Sequence, residues 1–225
     1  VVSGATHPLT LTFQLSPAQL GITVSAALWG TVIGAMSAGV IGRHLGARRS
    51  LFLLGICYLL SALGCALAPS WSVLLLFRFI GGLGMGGSSV IAPVYIAEVA
   101  PASWRGRLVG AFQINIILGI LLAYLSNYLV GLASPGLNEW RWELGVASIP
   151  AALFLLRGIG TPASPRWLVL RGLLSEARAV LLELGVPRAE EALEAIRAPL
   201  QQSGVATEQW VQWKYRKPIL LAVAL

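Results

Sequence analysis

Two polar side chains stand out because they lie inside otherwise apolar stretches: Arg78 and Gln113. A charge within such a stretch is expensive and is usually kept for function. The guanidinium of Arg78 cannot shed its proton, so it needs a partner inside. Otherwise it must snorkel to the end of its segment, a turn or two away. Gln113 carries an amide, which donates and accepts at once. Ile116, Ile117 and Ile120 follow it at i+3, i+4 and i+7, so a helix puts all four on one face. An amide beside an aliphatic wall suits a solute with hydroxyls on its rim and an apolar ring face. The same amide could equally bond a neighbouring helix.

The other reactive side chains are unpromising. Cys57 and Cys65 fall eight residues apart on one helix, about 12 Å along its axis at the usual rise. That is too far for a disulfide, so they read as small buried hydrophobes. His7 and His44 sit in loops without a partner at metal-ligand spacing. No nucleophile stands with a base. The expectation is neither an enzyme nor a holder of metal or cofactor. The run Gly81–Gly87 resembles a phosphate loop only superficially. In mid-segment, small residues serve to let helices approach closely. Asn115 and Asn127 read as interhelical bonds.

The elements that carry these residues follow from composition. Apolar residues make up 56% of the chain and charged ones 11%, against about a quarter charged in soluble domains. Five long apolar segments can be read: Leu20–Ile41, Leu51–Ala68, Val73–Ala97, Leu108–Leu132 and Trp142–Ile159. Each approaches the roughly 20 residues that span a bilayer, and in lipid such segments must be helices. A sixth begins at Pro218. The net charge of +7 does not make a nucleic-acid face, because the basic residues gather in the gaps between segments. Arg43, Arg48 and Arg49 follow the first segment, Arg105 and Arg107 the third, and nine more the fifth. The opposite gaps hold only Arg141. That asymmetry predicts the basic gaps to be cytoplasmic, in a multi-pass protein of the cell inner membrane. Trp71, Trp104, Trp140 and Trp142 stand at segment ends, as interface anchors do.

After the fifth segment the chain becomes polar and helix-forming. Ser175 reads as an N-cap, with Glu176 behind it. Ala177, Val180, Leu181 and Leu184 then form one apolar stripe. Further helices are expected over Pro187–Leu200 and Thr207–Lys217. All three would be short cytoplasmic helices lying under the membrane bundle.

Several local patterns now converge. The first loop reads Gly39-Val40-Ile41-Gly42-Arg43-His44-Leu45-Gly46-Ala47-Arg48-Arg49. The third segment opens Arg78-Phe79-Ile80-Gly81-Gly82-Leu83-Gly84 and leads to Tyr95-Ile96-Ala97-Glu98-Val99-Ala100-Pro101 and Trp104-Arg105-Gly106. The fourth begins Gln113-Ile114-Asn115-Ile116-Ile117-Leu118-Gly119, and Pro162-Ala163-Ser164-Pro165-Arg166-Trp167-Leu168 follows the fifth. Together, over nearly the whole chain, these resemble the sugar porters of the major facilitator type. The resemblance implies an all-α transmembrane six-helix bundle lacking most of helix one. Residues 1–160 would form the bundle, from the end of helix one at Val1–Ala5 through helices two to six. Residues 161–217 would be the cytoplasmic linker, and 218–225 the start of helix seven. A second six-helix half is expected as partner, with most of helix one missing before Val1.

The resemblance also assigns roles. Gln113 matches the family's sugar-contacting glutamine, with Ile116, Ile117 and Ile120 beside it. Arg78 matches an arginine that in proton symporters faces an acid on helix one, so protons join the partners if such an acid precedes this sequence. Glu98, Arg105, Arg48 and Arg166 match a cytoplasmic gating network that holds the outward-open state. Departures in two loops thin that network. Arg43 stands where the family has an acid in the first loop and Ala47 where it has one of that loop's arginines, and Ala163 stands where it has an acid after helix six. The sequence contains no Asp at all. The implied activity is transport of a monosaccharide by alternating access across the lipid bilayer. A porter of another small solute, such as a polyol or an aromatic acid, and a non-transporting membrane fragment remain alternatives.

Overall fold

The computed structural model describes residues 2–101, 103–133, 136, 138–186 and 188–202, with side chains for all of these except 2–5, 7 and 200–202. The described chain is helical, and four of its helices are long and apolar enough to cross a membrane. In order they are α1 (Val2–Phe13), α2 (Pro17–Leu45), α3 (Ala47–Ala66), α4 (Trp71–Val99) and α5 (Arg105–Ala133). Then come α6 (Glu139–Gly145), α7 (Ser148–Gly158), α8 (Pro165–Leu170), α9 (Leu174–Glu183) and α10 (Ala189–Gln202).

Helix α4 is the centre of the bundle, and its glycines explain why. Gly82 and Gly86 face α2, where Gly30 and Gly34 face back at the same four-residue spacing. A Cβ on Gly82 would overlap the Ala27 carbonyl, and one on Gly86 the Thr31 carbonyl. On the other side, a Cβ on Gly30 would overlap the Phe79 carbonyl and one on Gly34 that of Leu83. The two backbones therefore touch along several turns, which is the most extensive helix contact among the described residues. A second glycine face of α4, through Gly81 and Gly87, meets Ser61 and Leu54 of α3. Without water to drive apolar surfaces together in lipid, such close contact is what holds helices. The packing role expected for Gly81–Gly87 is what the structure displays.

Three boundaries differ from the sequence reading. Helix α1 does not stop near Ala5 but runs to Phe13, past Pro8. Thr12, whose Oγ1 donates to the Pro8 carbonyl at 2.8 Å, supports that stretch. The fifth apolar segment is two helices, because Pro150 has no N–H to offer the Val146 carbonyl and its ring crowds that position. The chain tightens there, with Ile149 donating to Val146 at 3.1 Å, and α7 begins after the kink. Ser175 is not a cap: α9 starts one residue earlier, after Leu173, with no side-chain cap. Its expected apolar stripe is nonetheless real. Ala177 and Leu181 are buried, and Ala177 packs with Leu168 and Val169 of α8. The third linker helix at Thr207–Lys217 and the helix start at Pro218 lie outside the described residues.

The bundle has two chemically distinct ends. At one, Trp140 packs with Leu9, Cys65, Leu74 and Leu144, and Trp71 donates to Thr23 across α4 and α2 at 2.9 Å. At the other end lie the α2–α3 turn, the α4–α5 connection and α8, which carry the basic gaps.

Candidate functional site

Helix α8 is fastened to three neighbours, and the residues that do this belong to the motif Pro162–Leu168. Ser164 caps α8 by accepting from Trp167 N at 3.2 Å and donates its hydroxyl proton to Glu98 at 2.6 Å. One hydroxyl thus joins the C-terminal end of α4 to the N-terminus of α8, and it is 2% exposed. The Tyr95 hydroxyl, one turn before Glu98, donates to the Pro162 carbonyl at 2.6 Å. Trp167 donates from its indole to the Arg43 carbonyl at 3.2 Å, and its ring covers Gly46. Gly46 has a φ of 79°, and a Cβ there would stand 2.9 Å from the Trp167 ring. The one-residue turn between α2 and α3 therefore needs glycine twice over. Arg48 donates to the Ile159 carbonyl at 2.8 Å, and Arg171 to the His44 carbonyl at 2.6 Å.

This arrangement differs from the ion-pair network expected from the sequence. Glu98 takes its hydrogen bond from a neutral hydroxyl. None of Arg48, Arg105 and Arg166 comes within 4.0 Å of a carboxylate among the described residues, where the ion pairs are Arg178–Glu190 and Arg188–Glu191. Ser164 and Tyr95 both belong to motifs legible in the sequence, yet neither carries a signal of this role there. A hydroxyl announces no partner until the fold brings one.

Arg78 is 6% exposed, and its Nε has no hydrogen-bond partner among the described residues. It borders a cavity of about 480 Å³ between α3, α4 and α6–α7, together with Ser61, Cys65 and Phe154. Tyr58 on the same wall shares a 2.7 Å hydrogen bond with Ser88. Glu143, which the sequence reading did not single out, is a second buried charge. It is 3% exposed, and its Oε2 likewise lacks a partner among the described residues. Its signal in the sequence was an acid just inside the fifth apolar segment.

Gln113, Ile116, Ile117 and Ile120 share one face of α5, and all four are exposed. So is nearly all of α5; Asn127 is its one buried residue. Asn115 is exposed and makes no hydrogen bond among the described residues, against the interhelical role expected for it. The four residues form an open wall, with an amide and three aliphatic side chains facing away from the described helices. No group of metal ligands occurs among the described residues, and His44 lies in a crevice beside Arg48 and Arg171.

Comparison with known proteins agrees with this architecture. Residues 5–225 match the family described as sugar (and other) transporter. The D-xylose transporter of Levilactobacillus brevis is 42% identical over 181 residues, which are 80% of this chain and 39% of that protein. The galactose-proton symporter of Escherichia coli (strain K12) is 36% identical over 233 residues, all of this chain and 48% of that one. The chain spans about half the length of the galactose-proton symporter it matches. Among solved structures, a partially occluded inward-open form of the xylose transporter XylE from E. coli superposes with a TM-score of 0.86. It is 30% identical and covers 99% of this chain and 57% of that one. A helical bundle knit by facing glycines, a short helix bolted to the first loop, and a match along nearly every residue lead to one assignment: this multi-pass membrane protein belongs to the sugar (and other) transporter family of the major facilitator superfamily.

Proposed function

We propose that this chain forms one half of a monosaccharide transporter that works by alternating access. The observation that carries the reading is the open wall on α5. Gln113 and the three isoleucines offer hydrogen bonding and an apolar ring surface, and no described helix covers them. In this reading a second six-helix bundle supplies the opposite wall, and the two bundles rock about the solute between them. Gln113 bonds sugar hydroxyls, and Ile116, Ile117 and Ile120 pack against the sugar ring. The similarity to a D-xylose transporter and to a galactose-proton symporter favours pentoses and hexoses as substrates. Arg78, buried with an unpartnered Nε, pairs with an acid supplied by another part of the full-length protein, which would allow proton coupling. Glu98, Arg48, Arg105 and Arg166 bias the two states from the basic end, with the Glu98–Ser164 bond as the latch. That end faces the cytoplasm of a cell inner membrane, a reading supported by the excess of basic residues in the gaps of the sequence that meet there.

Transport measurements in vesicles test this. The full-length protein that carries this chain should take up D-xylose or D-galactose saturably, and the 225-residue chain alone should not. One wall leaves most hydroxyls of a sugar facing water or lipid, so little net affinity remains. Saturable uptake by the chain alone, abolished by a competing sugar, would overturn the two-bundle reading. No sugar uptake by the full-length protein would overturn the substrate.

A further inference from the structure

Three guanidinium groups converge on one crevice at the basic end of the bundle. The crevice holds about 890 Å³ and lies between the α2–α3 turn, the end of α7 and helices α8 and α9. Arg48 and Arg49 enter it from the first turn of α3, and Arg171 from the end of α8. Glu176 is the one carboxylate on its wall. Arg48 and Arg171 each spend a donor on a main-chain carbonyl. Arg49 makes no hydrogen bond among the described residues, and none of the three lies within 4.0 Å of a carboxylate there. A guanidinium has five N–H donors, so most of this donor capacity is open.

Two further features act in the same direction. Helix α3 starts after Gly46, which has no side chain to cap it, so the first amides of α3 stay available beside Arg48 and Arg49. Ala163, where an acid would be expected by resemblance, lies on the crevice wall. No carboxylate stands at that position to answer Arg48, Arg49 and Arg171. Phe52 and Ile159 flank the charged part, 39% and 62% exposed, and give the crevice an apolar lip.

We propose that this crevice binds a phosphate group, carried by an anionic phospholipid of the surrounding bilayer or by a free phosphorylated solute. Phosphate oxygens match the planar fork of arginine two at a time, and the free amides and positive end of α3 add to the attraction. Where the family's acids would bind the arginines internally, here an external anion takes their place.

Native mass spectrometry of the purified full-length protein that carries this chain tests the proposal. The probes are a short-chain phosphatidylglycerol, the matching phosphatidylcholine and inorganic phosphate. Phosphatidylglycerol should bind about tenfold more tightly than phosphatidylcholine, the scale of one hydrogen bond between charged groups. Arg49→Gln removes a side chain with no described bond, so it should leave the fold intact and weaken phosphatidylglycerol about tenfold. Arg48→Gln combined with Arg49→Gln should weaken it further. The charge-matched pair Arg107→Gln and Arg197→Gln lies outside the crevice and should change binding little. Displacement of the lipid by inorganic phosphate at equal concentration identifies a free phosphate ligand, and failure of phosphate to displace it identifies the lipid. Equal binding of the two lipids, no binding of either phosphate probe, or equal loss from Arg49→Gln and the control pair would each overturn the proposal.

Discussion

At the scale of single residues, the absence of a side chain decides as much as its presence. Gly86 of α4 sits where a Cβ would overlap the Thr31 carbonyl, whereas a Cβ on Gly39 of α2 would meet nothing within 4 Å. Gly86→Leu should therefore push α2 and α4 apart and lower stability by at least about 1–3 kcal/mol, the usual scale of overpacking. Gly39→Ala should be neutral within about 0.5 kcal/mol. Thermal unfolding in detergent compares the two, and equal midpoints would contradict the glycine contact. Gln113 is the opposite case, a side chain whose worth lies in a ligand. In the full-length transporter, Gln113→Ala should weaken sugar binding by about 1–2 kcal/mol, the scale of one or two polar contacts. Equilibrium binding of labelled sugar measures this, and unchanged affinity in folded protein would remove Gln113 from the site.

At the scale of elements, the short helix α8 is held by few bonds of high quality. Ser164 both caps it and feeds the Glu98 carboxylate. Ser164→Ala should lose a cap, at about 1 kcal/mol, and leave Glu98 without its donor, at about 1.5–3 kcal/mol. Hydrogen exchange at the amides of residues 165–170 should rise at least about tenfold, while Ser164→Thr, which keeps the hydroxyl, should stay near the parent protein. Unaltered exchange in Ser164→Ala would mean that Trp167 and Tyr95 alone hold the helix. The kink between α6 and α7 is of the same scale. Pro150 was visible in the sequence, but hydropathy sums over a window and does not register one missing N–H. A single apolar segment was therefore expected where two helices form.

At the scale of the whole molecule, charge at the basic end should set the balance between the two states of the proposed transport cycle. The Glu98–Ser164 contact is a hydrogen bond with a neutral donor, so it is weaker than a contact closed by ion pairs. Introducing Arg43→Asp together with Ala163→Glu adds acids beside arginines that have no carboxylate within 4.0 Å among the described residues. In the full-length protein that should close the basic end and raise the outward-open population about two- to tenfold, as expected for roughly 0.5–1.4 kcal/mol of differential stabilisation. Labelling of cysteines engineered at each end, with Cys57 and Cys65 replaced, reports the shift. Greater reactivity at the basic end would reverse the assignment of the gate. The same acids should expel a phosphate group from the crevice, so anion binding and state preference should change together.

The sequence by itself determined where the chain is apolar, which gaps are basic, and which motifs accompany them. Period and hydropathy are local properties, so α2 to α5 fall where the apolar segments were read, and the glycines of α4 announce tight packing before any partner is known. The stripe of Ala177 and Leu181 was legible for the same reason. Only the tertiary structure decided which partners meet. Glu98 could have reached an arginine from any of three basic gaps; the fold offers it Ser164 instead, because capping α8 brings that hydroxyl to the end of α4. Arg48 and Arg171 turn to main-chain carbonyls of distant segments, a choice that no spacing encodes. Glu143 and the unpartnered Nε of Arg78 likewise emerge from burial by helices far apart in sequence. Composition fixes the solvent a segment prefers, and segment length fixes its span. The pairing of a polar side chain depends on which helices cross beside it, and that is settled only when the glycine faces of α2, α3 and α4 close.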